Sequence, residues 1–181
     1  MEVQKIGVFL SSRESLPATY VQAARDVGGW IGRTGRTLVY GGARKGLMET
    51  LAQAVKQGGG RVYGVVPDII EQRGQASDVP DVVFRTADLN DRKAVMVRES
   101  DVLLALPGGI GTLDEAFTVL AADLIGTEHK PLVFYNAGGC WDALLALLSR
   151  LEADGLVGAG GAPLWHVAAT VGELEACLAS L

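Results

Sequence analysis

Cysteine is scarce in this chain: Cys140 and Cys177 are the only two, there is no CxxC, and no Cys/His spacing fits zinc. Two reduced, buried thiols in a reducing compartment are expected rather than a disulfide. Histidine is equally sparse. His129 and His166 stand alone without metal-ligand spacing, so both are read as structural and no metal is expected. An excess of basic residues is also lacking. The 16 Lys and Arg are outnumbered by 21 Asp and Glu, for a net charge of −5. That argues against a general nucleic-acid binder, which usually carries a basic face, but not against a small anionic ligand, which needs only a local positive patch. No apolar run has the length of a membrane span or of a signal peptide, and MEVQKIGVFLSS at the start contains only a short one. The expectation is a soluble, cytoplasmic protein with no membrane contact.

What is present is a globular composition. At 49% hydrophobic residues the chain is too apolar to remain disordered. Its 24 glycines gather in a few places, as turns and loops do, and its 181 residues suit one domain with a real core. Continuous apolar runs at Lys5–Ser11, Thr37–Tyr40, Arg61–Val66, Val82–Arg85, Asp101–Leu106 and Pro131–Tyr135 read as strands buried on both faces, with Trp165–Ala168 as a seventh. Helical patterns lie between them at Pro17–Gly32, Leu47–Gln57, Asn90–Ser100, Thr112–Ile125, Trp141–Ala153 and Val171–Ser180. Within Trp141–Leu151, Trp141, Leu144, Leu145, Leu147, Leu148 and Leu151 form a broad apolar face. Strand–helix alternation throughout implies right-handed βαβ units and a doubly wound, Rossmann-like parallel sheet with helices on both faces, in a single α/β domain over residues 1–181. No linker or repeat divides it, and the GAGGAP stretch at Gly158–Pro163 reads as a surface loop.

Ligands of such sheets bind at the carboxyl ends of the strands, near the point where strand order reverses. Two glycine-rich loops fall at strand–helix junctions: Tyr40-Gly41-Gly42-Ala43-Arg44-Lys45-Gly46-Leu47-Met48, and Pro107-Gly108-Gly109-Ile110-Gly111-Thr112-Leu113-Asp114-Glu115. Glycine lets the backbone approach a ligand, and a helix start offers free N–H groups to an anion. There is no GxxxxGK[ST] and no GxGxxG after the first strand, so neither loop is a standard nucleotide fingerprint. One such loop is as well explained by tight-turn geometry. Two at the same sheet edge favour a shared phosphate site. Asp91-Arg92-Lys93-Ala94-Val95-Met96 opens a helix at that edge. It is either a solvated basic turn or a source of a bidentate Arg contact to phosphate or carboxylate. Thr112-x-x-Glu115 reads as a capping box, in which the two side chains satisfy each other's backbone N–H groups. Ser11 and Ser12, after the first strand, are helix-cap or ligand-contacting serines.

Together these motifs resemble the Lonely Guy (LOG) family. PGGIGTLDE is similar to its PGGxGTxxE signature, GGARKGLM to its GGGxxGLMG loop and DRKAVM to its ERKxxM helix start. Order, spacing and the tail KPLVFYNAGGCWDALL also match, so the resemblance covers nearly the whole chain. It implies a phosphoribohydrolase that cleaves the N-glycosidic bond of N6-substituted adenosine 5'-monophosphates, releasing the base and ribose 5-monophosphate. Such proteins are often labelled lysine decarboxylases, but nothing here marks a pyridoxal-phosphate site, and no cofactor is expected.

Carried over by motif, Arg92 and Glu115 are the catalytic pair; the positive charge that such a reaction builds on the sugar makes Asp114 a candidate second carboxylate. Gly108, Gly109, Gly111 and Thr112 hold the phosphate, helped by Gly41, Gly42 and Gly46, and Ser12, Met48, Lys93, Met96 and Pro107 complete the substrate contacts. The resemblance also implies a homodimer. The chain departs from the family's pattern at Ala43 and Glu49, where glycines are usual, and at Leu10-Ser11-Ser12-Arg13, where CGSS or CSSS is usual. These departures spare the pair and bear on the substrate. Alternatives are a nucleosidase acting on AMP or a related nucleotide, and a non-catalytic carrier of a nucleotide-like cofactor, such as molybdenum-cofactor carrier proteins.

Overall fold

The short runs of β-branched and large aliphatic residues form seven strands in the computed structural model, which describes residues 3–157 and 163–181. They are β1 (Lys5–Phe9), β2 (Thr37–Tyr40), β3 (Arg61–Pro67), β4 (Val82–Thr86), β5 (Val102–Ala105), β6 (Leu132–Tyr135) and β7 (His166–Ala168). All neighbours pair in parallel, in the order β4-β3-β2-β1-β5-β6-β7. The helices are α1 (Ala18–Arg33), α2 (Gly46–Gln57), α3 (Asp68–Gln72), α4 (Leu89–Arg98), α5 (Ile110–Leu124), α6 (Asp142–Ala153) and α7 (Val171–Ala179).

The period of two along each strand divides the core between the sheet's faces. Ile6, Val8, Leu38, Tyr40, Val102, Leu104 and Val133 point to one face and pack with α1, α2 and α7. Phe9, Val39, Leu103, Ala105, Leu132 and Phe134 point to the other and pack with α4, α5 and α6. Burial on both faces is why the central strands read as continuous apolar runs rather than alternating ones.

The chain leaves the centre of the sheet through β2, β3 and β4, then returns to place β5 on the other side of β1. Strand order therefore reverses between β1 and β5, which opens a crevice beyond their carboxyl ends. The backbone N–H of Ser11, after β1, donates to the carbonyl of Pro107, after β5, at 3.2 Å and ties the crevice walls together.

Four expectations need correcting. The helix α3 was not anticipated, because a single turn carries too little periodicity to register. β4 is not buried on both faces: it is the sheet edge, it alternates in burial, and Val83 is 42% exposed. In α6 only Leu148 is buried; Leu144 and Leu145 are partly covered, while Leu147 is 53% exposed, so the broad apolar face lacks a complete intramolecular partner. Cys140 and Cys177 are free thiols, as expected, but partly rather than fully buried. The expected Gly158–Pro163 loop lies, but for Pro163, outside the described residues. Among the described residues no helix is long and apolar enough to cross a membrane.

Candidate active site

A cavity of about 360 Å³ occupies the crevice between the carboxyl ends of β1 and β5. Its volume is within the roughly 300–1,000 Å³ typical of small-molecule sites. Three segments build it: Leu10–Arg13 after β1, Leu89–Lys93 at the start of α4, and Gly109–Glu115 at the start of α5, with Met48 closing one side.

α4 begins with a well-formed cap. The Asp88 carboxylate accepts hydrogen bonds from the backbone N–H groups of Asn90 (2.7 Å) and Asp91 (2.9 Å). The Asp91 carboxylate in turn accepts from the N–H of Ala87 at 3.2 Å. Reciprocal capping of this kind fixes the first helical turn and so aims the next two side chains, Arg92 and Lys93, into the crevice. The capping box expected at Thr112 and Glu115 does not form. α5 starts earlier, with Gly109 at the N-cap and no side-chain cap, so Thr112 and Glu115 lie inside the helix. Thr112 is buried against Gly108, where a Cβ would collide with its hydroxyl. Glu115 is buried one turn further on.

Freed from capping, Glu115 forms an ion pair with Arg92 Nη2. The side chains are 4% and 13% exposed, respectively. Burial pulls the Arg92 guanidinium below its ordinary pKa, and the charge of Asp114 pushes the other way. Arginine starts so high that it remains a cation regardless. Arg92 Nε is buried without a hydrogen-bond partner. Beside this pair runs a second, exposed at its acidic end: Lys93 Nζ contacts both Asp114 carboxylate oxygens, at 2.9 and 3.0 Å. Two parallel ion pairs thus bridge α4 and α5 along the cavity wall.

The anticipated site residues separate into those on the cavity and those behind it. Ser12, Met48, Arg92, Lys93, Gly109, Gly111, Thr112, Asp114 and Glu115 line it. Gly41, Gly42, Gly46, Met96, Pro107 and Gly108 do not. Gly41 lies against the Arg92 guanidinium, where a Cβ would sit a tight 3.2 Å from Nη1. Gly42 (φ +68°) packs on Val66. Gly46 (φ +55°) opens α2 and packs on the Arg13 carbonyl. Both use a left-handed backbone open to glycine. Met96 is core, packed on the α4–α5 face of the sheet, and the Pro107 carbonyl joins the crevice walls as described.

Sequence reasoning missed Leu10, Arg13, Leu89 and Ile110, which also line the cavity. A basic residue immediately after the first strand of a doubly wound sheet was the available signal for Arg13. His129 pairs with Asp123 at 2.5 Å on the surface. Among the described residues no group of three or more His, Cys, Asp or Glu could hold a metal ion.

Residues 48–177 match the family described as "Possible lysine decarboxylase". The chain is 38% identical over 154 residues to the probable cytokinin riboside 5'-monophosphate phosphoribohydrolase LOGL5 of Oryza sativa subsp. japonica, covering 85% of this chain and 63% of that protein. It is 35% identical over 170 residues to the cytokinin riboside 5'-monophosphate phosphoribohydrolase LOG4 of Arabidopsis thaliana, covering 94% and 79%. The chain belongs to the LOG family. The fold extends beyond it: the molybdenum cofactor carrier protein of Chlamydomonas reinhardtii superposes with a TM-score of 0.73 at 26% identity, covering 99% of this chain and 98% of that one. Within the LOG chain described here, the matched region begins at Met48 and includes both ion pairs, whereas the Leu10–Arg13 wall precedes it.

Proposed function

We propose that this protein hydrolyses the N-glycosidic bond of N6-substituted adenosine 5'-monophosphates to the free base and ribose 5-monophosphate. The observation that carries the proposal is the buried Arg92–Glu115 pair facing a nucleotide-sized cavity at the strand-order reversal. The name of LOG4, a relative over 94% of this chain, supports the same reading.

In the reaction, the bond from the sugar's anomeric carbon to the base breaks and its electron pair leaves with the base, which takes up a proton. Water supplies the new C–O bond and loses a proton. Positive charge builds on the sugar in the transition state, as in glycoside hydrolysis. Glu115 is the carboxylate that stabilises this charge and orients or deprotonates the water. Its low exposure makes its charge effective, because little water screens it. Arg92 holds that carboxylate in place and contacts the nucleotide, since fixed geometry supplies much of such a barrier reduction. Asp114 is the second carboxylate. The backbone N–H groups of Ile110, Gly111 and Thr112 lack intrahelical acceptors at the start of α5 and are available to a phosphate.

The deciding experiment incubates the purified protein with N6-isopentenyl-AMP, AMP, the other nucleoside monophosphates and N6-isopentenyladenosine, and measures free base. Release of N6-isopentenyladenine, faster from the monophosphate than from the riboside, is expected. Faster release from AMP would make the protein an AMP nucleosidase. The likeness to the Chlamydomonas reinhardtii carrier favours a second reading, a non-catalytic carrier of a nucleotide-like cofactor; that reading is chosen if no base is released from any nucleotide.

The proposal includes a cytoplasmic homodimer acting on a small molecule, with no nucleic acid or membrane partner. Net charge −5 supports the absence of nucleic acid. Two free thiols suit the cytoplasm. Exposed Ile110, Leu124 and Ile125 on and after α5, and Leu147 on α6, support a self-associating surface. Light scattering at micromolar protein should give twice the chain mass, and a monomer mass would contradict it.

A further inference from the structure

The cavity carries three basic side chains, Arg13, Arg92 and Lys93, and two acidic ones, Asp114 and Glu115. Both carboxylates are already engaged, Glu115 by Arg92 and Asp114 by Lys93. Three cations against two anions leave one net positive charge, and it resides on Arg13. Among the described residues no ion pair or side-chain hydrogen bond engages the Arg13 guanidinium. Arg44, the other arginine near these loops, is paired with Asp78 and lies off the cavity.

The backbone of Arg13 is held while its side chain is left free. Its N–H donates to Ser11 Oγ at 3.0 Å. Its carbonyl packs against Gly46, where no Cβ would fit. Two residues on, Ser15 takes φ +59°, the only left-handed non-glycine among the described residues, and turns the chain into α1. The guanidinium is thus tethered to a fixed point on the cavity rim. The start of α5, on the same cavity, has no acidic residue in its first turn and no side-chain cap, so no capping side chain covers its N–H groups. Arg13 also stands where the LOG first loop usually carries its last serine, in the segment of this chain that departs most from the family's pattern.

We infer that Arg13 is the phosphate-recognising side chain of this site and sets its preference for nucleoside monophosphates over nucleosides. The inference rests on the hydrolase reading for its choice of anion, but the free charge of the cavity is on Arg13 whatever reaction follows. A phosphate brings about two negative charges at neutral pH and acceptor oxygens that fit a planar guanidinium. Arg92 and Lys93 can offer it only the donors that Glu115 and Asp114 leave over, and their charges are already balanced by those carboxylates. Arg13 has nothing to give up. A residue of this kind improves binding rather than chemistry, so its loss is read in KM more than in kcat.

The test compares wild type with Arg13→Ala, Arg13→Ser and Arg13→Lys, using N6-isopentenyl-AMP and N6-isopentenyladenosine as substrates and calorimetric titration of N6-isopentenyl-AMP as a binding measurement. Losing a charge-assisted contact should raise KM for the monophosphate about tenfold to a hundredfold in R13A and R13S. The monophosphate-to-riboside ratio of kcat/KM should shrink by the same factor, with partial recovery in R13K. A purely structural loss would lower both substrates together and leave that ratio alone, which would overturn the inference, as would wild-type KM in R13S. If wild type binds the monophosphate but releases no base, the hydrolase reading fails while the titration still judges Arg13: a Kd weakened at least tenfold in R13A supports it, and an unchanged Kd overturns it. A wild type that does not bind the monophosphate overturns both.

Discussion

Glu115→Gln separates a carboxylate that works through its charge from one that merely completes a helix. Glutamine keeps the shape and one acceptor oxygen for Arg92, while it removes the charge and turns the other oxygen into an NH2 donor. Removing one member of a fully buried ion pair costs about 3–5 kcal/mol, chiefly because the other charge is left without compensation. Here the penalty is smaller, since Arg92 retains a hydrogen-bond acceptor and its 13% exposed side chain reaches a wet cavity. The expected loss is about 1–3 kcal/mol, or roughly 3–9 °C in melting temperature for a domain of this size. Turnover of N6-isopentenyl-AMP should fall about a hundredfold or more, the scale for losing one well-placed acid–base or electrostatic group. Adding Arg92→Gln to the first change should destabilise by less than the sum of the two single variants, because the double variant contains no stranded charge. Differential scanning fluorimetry and a base-release assay on the same samples measure both effects. A Glu115→Gln protein with wild-type melting and wild-type turnover would refute both the electrostatic coupling and the mechanism.

Two further outcomes follow from the geometry. Gly42→Ala places a methyl group on a residue at φ +68° and against Val66, so it should lower stability by about 1–3 kcal/mol; chemical denaturation would measure this, and an unchanged midpoint would contradict the packing described. Burial pushes the Cys140 thiol up to about 11, so at pH 8 it is almost wholly protonated and should react with iodoacetamide far more slowly in the native protein than after unfolding. Mass spectrometry of the labelled peptide reads the rate, and equal native and denatured rates would contradict its burial.

Much of the fold was legible in the sequence, because it rests on local patterns. Buried parallel strands write themselves as unbroken Val, Ile and Leu runs, and LVY at 38–40 or VLLA at 102–105 leaves little ambiguity. Alternation of these runs with helical patterns decided a doubly wound sheet, and the motifs around Arg92 and Glu115 pointed to one edge of it. The edge position of β4 could not be read this way, since which strand ends up outermost depends on the order of pairing.

The site divides along the same line. The sequence, through its resemblance to the LOG motifs, put forward the residues of the candidate site: the Arg-Lys pair at 92–93 and the Asp-Glu pair at 114–115. It could not determine how they pair, because α4 and α5 come side by side on one face of the sheet only in the folded chain. The same four residues of the Thr112–Glu115 stretch suit a capping box or a buried ion pair, and the choice depends on whether the helix starts at Thr112 or two residues earlier. Tertiary structure settled that by burying Thr112 against Gly108 and bringing Arg92 within reach of Glu115. It also set Arg13 on the cavity rim, 79 residues before Arg92 in the chain, by returning β5 to the side of β1. Local patterning decides what each segment becomes, whereas the charge left unpaired in a cavity is a sum over segments that only the folded chain assembles.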